Sequence, residues 1–234
     1  MTAERRVDAV LLDALGTLVA LQPPASAFVR ELQARHTLEV ALADAERAFG
    51  AEIAYYRAHH QEARDAHALA DLRRRCAEVL RAQLPPAARA LPLGELTDAM
   101  VGALRFAAYP DAHDALALLR ARGMTLVVVS NWDVSLPAVL RDIGLAELVD
   151  GIVSSAAVGH SKPAPAIFAA GLALAGSTPE RTVHVGDSIE HDVRGALGAG
   201  IRPVLLNRAS TVPGGLPTAT PTISSLDELA GLLP

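Results

Sequence analysis

Residues 181–200, RTVHVGDSIEHDVRGALGAG, set a short run rich in β-branched residues directly before a stretch of helical character that ends in glycine. The run is apolar over most of its length without strict alternation, which is typical of a strand buried on both faces of a parallel sheet. A terminal glycine is a common end signal for a helix. The stretch therefore predicts a strand–loop–helix unit, with polar residues where the strand ends.

The same texture recurs along the chain. Strands are predicted for 181–187 and for the similar runs 7–13, 124–131, 151–155 and 201–207. Helical stretches separate these runs, and strands alternating with helices indicate right-handed βαβ crossovers. The predicted fold class is α/β, with a Rossmann-like, doubly wound and mainly parallel sheet. The segment 207–221 is predicted to be a surface loop.

The interval 19–106 breaks this alternation. It reads as a series of helices separated by proline-rich joints at Pro23–Pro24, Pro85–Pro86 and Pro92, with no strand-like run. A helical block after the first strand predicts an insertion into an α/β core. The predicted domains are therefore a core of residues 1–18 and 107–234 and a helical cap of residues 19–106.

Composition and charge exclude several classes of partner. The net charge is −5 and the arginines are scattered among carboxylates, so no basic stripe for nucleic acid is present. No stretch approaches the roughly 18 apolar residues that span a bilayer, and Asp8 and Asp13 interrupt the N-terminal apolar run. The single cysteine, Cys76, is expected to be buried and inert, which fits a reducing cytoplasm. A monomer and a homodimer both stay open.

Polar residues follow four of the predicted strands, where ligands bind in an open α/β sheet. Three of them are carboxylates, which suit a hard divalent cation. A serine, an amide and the single lysine of the chain suit an anion, and lysine is a compact ammonium that fits beside one oxygen. The set, with its loop neighbours, is Asp13, Leu15, Gly16, Thr17, Ser130, Asn131, Lys162, Asp187 and Asp192.

These residues lie in four stretches that resemble the motifs of the haloacid dehalogenase-like hydrolase superfamily. In order they are LLDALGTL (11–18), VVVSN (127–131), KPAPAIF (162–168) and HVGDSIEHDVRGA (184–196). The order and spacing are those of the superfamily, the fourth motif is long and specific, and the inserted helices resemble its common helical cap. The chain is most similar to uncharacterised hydrolase-like branches. The resemblance implies a magnesium-dependent phosphohydrolase that acts on a small phosphorylated metabolite.

The resemblance also implies roles for the residues that bind and attack the phosphoryl group. Asp13 is the nucleophile, which attacks phosphorus and gives an aspartyl-phosphate. Ser130 binds a phosphoryl oxygen with help from the Asn131 backbone. Lys162 places its charge between Asp13 and the phosphoryl group.

The loop and metal-binding residues are implied in the same way. Gly16 and Thr17 belong to the phosphate-binding loop, which Thr17 helps to order. Asp192 either binds magnesium through a water or braces Lys162 or the metal. The implied magnesium ligands are Asp13, the Leu15 backbone carbonyl, Asp187 and Asp192.

Leu15 departs from the pattern of the superfamily. Its phosphatases usually have a second aspartate two residues after the nucleophile, which protonates the leaving oxygen and then activates water. General acid–base help of this kind is worth on the order of 100- to 10,000-fold. The backbone carbonyl of leucine serves a metal as well as that of aspartate. The expected site therefore keeps its metal and phosphate binding but has an impaired proton-transfer step.

Three functional hypotheses remain open. The first is a phosphohydrolase whose substrate leaves without much protonation, such as an acyl phosphate, or whose proton comes from His160, His191 or Asp133. The second is a metal-independent 2-haloacid dehalogenase, which also lacks the second aspartate. Those enzymes replace the metal-binding acids that this chain keeps, and they have a tyrosine where Phe168 stands. The third is a non-catalytic relative that binds a phospho-ligand or a partner protein.

Substrate choice is expected to come from the helical insertion, where IAYYRAHHQEAR (53–64) is the most suggestive stretch. Helical spacing places Tyr55 with His59 on one face and Tyr56 with His60 on another. The Arg57 guanidinium is a candidate for gripping a second anionic group of a substrate. Outside the insertion, Trp132 either lines the pocket or fills the core.

Overall fold

The computed structural model of the protein describes residues 7–209 and 214–233. Its strands are β1 Ala9–Leu12, β2 Val19–Leu21, β3 Phe106–Ala108, β4 Thr125–Ser130, β5 Gly151–Ser154, β6 Thr182–Gly186, β7 Arg202–Leu206 and β8 Thr222–Ile223. Six of them form one sheet in the order β5-β4-β1-β6-β7-β8, and every neighbouring pair is parallel. The α/β fold class predicted from the sequence is confirmed.

The five predicted strands are present, each within the bounds of its predicted run. β1 lies at the centre of the sheet, where Leu11 pairs with Val127 of β4 and with His184 of β6. All four residues of β1 are buried, as the continuous apolar run indicated. The carboxyl ends of β1, β4 and β6 therefore meet at one edge of the sheet, because neighbouring parallel strands end on the same side.

The helices, in chain order, are α1 Pro24–His36, α2 Leu42–His59, α3 Ala66–Gln83, α4 Pro86–Arg89, α5 Leu93–Ala103, α6 Ala112–Ala121, α7 Leu136–Asp142, α8 Ser155–Val158, α9 Pro165–Ala175, α10 Gly195–Gly198 and α11 Leu229–Leu232. The first five lie between the first and second strands of the sheet in chain order, so the helical insertion is confirmed. No helix in the described ranges combines the length and the apolar character that crossing a bilayer requires.

The chain divides into two compact units, residues 1–20 with 108–234 and residues 21–107. In the first unit α9 covers the sheet, and its buried Ile167 and Phe168 pack with Leu11, Val129 and Val153. In the second unit Phe28 of α1 meets Phe49 of α2 edge to face, with ring centroids 5.4 Å apart. Each unit therefore has its own apolar core. The buried Cys76, on α3, belongs to the second unit.

Three short strands lie outside the sequence predictions. β2 and β3 pair with each other and occupy the two ends of the interval 19–106, so the expectation that this interval holds no strand is wrong at its ends. β8 follows the predicted loop 207–221, of which the described residues 207–209 and 214–221 form no helix or strand and residues 210–213 lie outside the described ranges. Strands of two or three residues are too short for a periodic pattern, and only their pairing partner stabilises them.

Candidate active site

The loop after β1 carries Asp13 and turns sharply at Gly16. The backbone N–H of Asp13 donates to Val185 O of β6 at 2.9 Å, which holds Asp13 at the edge of the sheet. Gly16 has a φ of +86°, and a Cβ there would lie 2.1 Å from Oδ2 of Asp187. Both the backbone conformation and the approach of Asp187 therefore require glycine at this position.

Ser130 and Asn131, at the end of β4, connect two different parts of the site. The Ser130 hydroxyl donates to Oδ1 of Asp13 at 2.9 Å. The Asn131 side chain instead binds the backbone of Lys162, donating from Nδ2 to its carbonyl at 3.0 Å and accepting its N–H at 2.7 Å. The Asn131 side chain thus fixes the segment that presents the lysine, a contact that the sequence did not indicate.

Lys162 lies between two carboxylates. Its ammonium donates to Oδ1 of Asp13 and to Oδ1 of Asp192, both at 2.6 Å, and only 2% of its side chain is exposed. Burial alone would lower the pKa of Lys162, but the charges of the two aspartates outweigh burial and raise it. The lysine therefore stays protonated and supplies a fixed positive charge beside Asp13.

Asp187 precedes a wide helical turn after β6, and Asp192 lies within that turn. Residues Ile189–Arg194 form a π-helical turn where the sequence predicted an ordinary helix, and such turns are frequent at functional sites. The turn carries the Asp192 carboxylate back to the strand end, where Oδ2 accepts the Ser188 N–H at 3.0 Å. A Cβ on Gly186 would lie 2.1 Å from Cγ of Asp192, so this position of the Asp192 carboxylate also requires glycine at residue 186.

Asp13, Asp187 and Asp192 form an acidic cluster whose ligand atoms lie within 4.8 Å of one another. Asp187 is exposed as a residue, but loss of water around its carboxyl group, and then the negative charges of Asp13 and Asp192, raise its pKa to about 7. Burial raises the pKa of Asp13 as well, against the opposing charge of Lys162. Three carboxylates with one ammonium leave a surplus of negative charge, which a hard divalent cation such as Mg²⁺ would offset. The donor set therefore fits a magnesium ion.

The other candidates differ in their exposure to solvent. His160 and His191 are exposed, and the buried Asp133 accepts the Ser135 N–H at 2.6 Å. Thr17 is fully buried, and within the described residues its hydroxyl has no hydrogen-bond partner. Trp132 is buried with 5% of its surface exposed, so it contributes to the interior of the core.

The residues singled out in the insertion pair as their spacing predicts. The rings of Tyr55 and His59 stack with centroids 4.0 Å apart, and those of Tyr56 and His60 meet edge to face at 5.9 Å. The Tyr55 hydroxyl also accepts a hydrogen bond from Arg75 of α3 at 2.9 Å. Tyr55 and His59 are thus engaged within their own unit, and a role for this stretch toward substrate stays a prediction.

Arg208 supports the first loop, a contact that sequence reasoning missed. Its guanidinium donates to Thr17 O at 2.8 Å and, by two further bonds of 2.9 Å, to the Asp111 carboxylate. It also lies 3.8 Å from the centroid of the Tyr109 ring. Arg208 and Asp111 are 97 residues apart, and no local signal links them. A bidentate pair of this kind adds geometric specificity as well as energy.

Asp111→Asn should lower the free energy of unfolding by about 2–3 kcal/mol at pH 7, because the charge-assisted bonds of a half-buried pair are lost. Burial would raise the pKa of Asp111, but the bonds from Arg208, Leu226 and Ser225 outweigh it and hold the pKa below 3.8. A carboxyl with a depressed pKa stabilises the fold above its unfolded pKa, and this contribution is lost as pH falls through the folded value. The difference between the two proteins should therefore narrow below pH 3.8.

Urea unfolding at several pH values measures this difference. Glu190→Gln, which removes an exposed pair with Arg194 in the same unit, is the matched control and should change stability by less than about 0.5 kcal/mol. Equal effects of the two substitutions at pH 7 would contradict the structural role of Asp111.

A Rossmann-like core with an inserted helical unit and an acidic cluster at its strand ends defines a class of hydrolases. The chain belongs to the haloacid dehalogenase-like hydrolases, whose family model matches residues 7–200. The resemblance stated from the four motifs is therefore confirmed, and so is the enzyme class.

Two curated relatives show the range of sequence similarity. The chain is 36% identical over 123 residues to haloacid dehalogenase-like hydrolase domain-containing protein 3 of Bos taurus, covering 53% of this chain and 49% of that one. It is 37% identical over 108 residues to a phosphoserine phosphatase of Thermus thermophilus, covering 44% and 42%. The chain thus matches about half the length of these relatives or less.

Two solved structures share the fold over nearly the whole chain. The HAD-hydrolase YfnB of Bacillus subtilis bound to magnesium has a TM-score of 0.72 at 20% identity, covering 97% of this chain and 99% of that one. A dehalogenase has a TM-score of 0.72 at 25% identity, covering 100% and 99%. A metal-bound hydrolase and a dehalogenase match equally well, so the fold alone does not choose between the two chemistries.

Proposed function

We propose that the protein is a magnesium-dependent phosphohydrolase that acts on a small phosphorylated metabolite through Asp13. The observation that carries this proposal is that the Asp13 carboxylate is bonded to a buried ammonium and lies in one cluster with two further carboxylates, Asp187 and Asp192. A nucleophile beside a fixed positive charge and a cation-binding cluster suits phosphoryl transfer, where charge develops on the transferred group. The magnesium of the B. subtilis structure and the phosphatase among the curated relatives point the same way.

Asp13 is assigned the attack on phosphorus. Within the described residues both hydrogen bonds to its carboxylate, from Ser130 and Lys162, end on Oδ1, so we assign the attack to Oδ2. The new P–O bond to Asp13 forms as the P–O bond to the leaving oxygen breaks, and water later hydrolyses the aspartyl-phosphate. Ser130 and Lys162 orient the nucleophile and stabilise negative charge on the phosphoryl oxygens.

Magnesium, when bound, would neutralise charge on the carboxylates and on the phosphoryl group. Asp13, Asp187 and the backbone carbonyl of Leu15 are the groups assigned to hold it. Asp192 already accepts hydrogen bonds from Lys162 and Ser188. We therefore assign Asp192 to the support of Lys162, with any contact to the metal made through a water.

Leu15 narrows the class of substrate. An alkyl phosphate expels a strongly basic alkoxide, which needs a proton as the bond breaks. An acyl or aryl phosphate expels a stabilised anion, which leaves without one. We therefore propose that the wild-type protein prefers acyl and aryl phosphates to alkyl monoesters. A reducing cytoplasm, which fits the single buried thiol of Cys76, is the proposed compartment.

Removal of the metal tests the proposed function. Purified protein is assayed against acyl, aryl and alkyl phosphates with Mg²⁺ and with excess EDTA, and 2-haloacids are assayed alongside. Chelation should lower phosphate release on the order of 100-fold or more, since Lewis-acid stabilisation is worth several kcal/mol. Activity should return when Mg²⁺ is restored.

Two other results would replace the proposal with one of its alternatives. Halide release from a 2-haloacid in EDTA, without phosphatase activity, would identify a dehalogenase. No turnover of any substrate would favour a relative that only binds a phospho-ligand or a partner protein.

A further inference from the structure

A buried histidine lies one hydrogen bond away from the charged constellation. His184 is in the middle of β6, between Leu11 of β1 and Pro203 of β7, and none of its surface is exposed. Its Nε2 lies 2.8 Å from Oδ1 of Asp192. An ionised carboxylate only accepts hydrogen bonds, so Nε2 carries the proton and donates it.

The other ring nitrogen has no compensating contact. Among residues 7–209 and 214–233, Nδ1 of His184 has no hydrogen-bond partner, and the rings of His184 and Phe168 meet edge to face with centroids 5.1 Å apart. A polar atom buried without a partner destabilises the fold. An apolar residue would be the more stable choice in this strand, so the bond from Nε2 is what His184 adds.

Asp192 receives three donors on its two oxygens. Oδ1 accepts from His184 at 2.8 Å and from Lys162 at 2.6 Å, and Oδ2 accepts the Ser188 N–H at 3.0 Å. With every donor in place the carboxylate has one orientation. Without His184, Lys162 would be the only donor to Oδ1, and the carboxylate could rotate and draw the ammonium away from Asp13.

We propose that His184 is a positioning residue, whose Nε2–H holds the Asp192 carboxylate so that the Lys162 ammonium stays shared between Asp192 and Asp13. The chain of contacts runs from His184 on β6, through Asp192 in the π-helical turn and Lys162 before α9, to Asp13 after β1. His184 acts on the reaction only through Asp192 and Lys162. Its effect on catalysis rests on the proposed function, whereas its effect on the position of Lys162 does not.

Lys162 is the only lysine of the chain, so lysine labelled with ¹⁵N at Nζ reports on this ammonium alone. In the wild-type protein the buried, doubly hydrogen-bonded ammonium should give one slowly exchanging ¹H–¹⁵N signal. His184→Leu removes the donor and should shift or broaden that signal. His184→Gln keeps an N–H at a similar reach and should restore it.

Val183→Ala is the matched control for loss of packing. Val183 is buried in the same strand, and its side chain points to the opposite face of the sheet. It should destabilise the protein without moving the Lys162 signal. A signal unchanged in His184→Leu, or moved equally by Val183→Ala, would overturn the proposal.

Two further measurements complete the test. Turnover of 4-nitrophenyl phosphate by His184→Leu should fall about 10- to 100-fold, the usual cost of losing a group that orients an active-site ligand, and His184→Gln should recover most of it. If the variants do not fold, ¹⁵N-histidine spectra of the wild-type protein provide the test, because the proposal requires a proton on Nε2. A His184 ring protonated on Nδ1 alone would overturn it. A wild-type protein without turnover would count against the proposed function, and the Lys162 signal would still test His184.

Discussion

Asp13→Asn should lower turnover by on the order of 10,000-fold or more, because an amide oxygen is a poor nucleophile toward phosphorus. The substitution keeps the shape of the side chain and an oxygen that can accept from Ser130 and Lys162. Binding of substrate should therefore survive better than the chemical step, so that kcat falls far more than KM changes. Steady-state kinetics with an aryl phosphate and saturating Mg²⁺ measure both.

The same substitution should leave the metal-free protein at least as stable at pH 7. Burial, the largest effect, and the charge of Asp192 raise the pKa of Asp13 above 3.8, against the opposing charge of Lys162. A carboxyl with a raised pKa is destabilising once it is ionised, so this penalty grows as pH rises from its unfolded to its folded pKa. The neutral asparagine removes the penalty, and the Lys162 ammonium keeps the charge of Asp192 as its partner at 2.6 Å. Compared with the wild-type protein, Asp13→Asn should therefore have lower activity and an equal or higher midpoint of urea unfolding.

The exposed Asp142→Asn on α7 is the control, and it should keep turnover within about twofold, as remote surface changes do. More than about one hundredth of the wild-type kcat in Asp13→Asn would exclude Asp13 as the nucleophile, given the expected size of the loss.

Leu15→Asp should raise hydrolysis of alkyl phosphates by on the order of 100- to 10,000-fold, the value of general acid–base help. Leu15 is half-buried in the loop after β1, where its backbone forms an isolated β-bridge with Val19. Aspartate is smaller than leucine, and the turn at Gly16 that follows does not depend on the side chain before it. A carboxyl placed beside Asp13 and Asp187 would have a raised pKa, which suits an acid that must hold its proton until the leaving group departs.

The gain should depend on the leaving group. Aryl and acyl phosphates need little protonation, so Leu15→Asp should accelerate them much less than alkyl esters. Leu15→Asn has nearly the same shape as Leu15→Asp without a titratable proton, and it should stay near the wild-type rate. Equal rates for the aspartate and asparagine variants on an alkyl ester would show that proton transfer is not what the wild-type site lacks.

The regular part of the core could be predicted because its signals are local. Five apolar runs each enclosed one observed strand, and the polar residues after four of them meet at one edge because parallel neighbours end together. Residue type and position alone selected Asp13, Ser130, Lys162, Asp187 and Asp192 as candidates, and the structure brings their side chains together.

Contacts between distant residues could not be predicted in this way. His184 stands in a run that reads as an ordinary buried strand, where it differs from its neighbours only as an imidazole among mostly apolar side chains. The Arg208–Asp111 pair joins residues far apart in the chain. The sequence of the π-helical turn fits an ordinary α-helix equally well. The hydrogen bonds of Asp192 to other parts of the chain accompany the π-helical form.

The amino-acid sequence by itself determined the order of strands and helices, the helical insertion and the types of polar residue at the strand ends. Backbone preference and the burial of apolar side chains act over a few residues, so a linear pattern expresses them. The tertiary structure alone decided which atoms form the hydrogen bonds and ion pairs of the site. Lys162 reaches Asp13 across 149 positions of the chain and Asp192 across 30, and distances of 2.6 Å follow from the packing of β1, β6 and α9 rather than from any pattern along the chain.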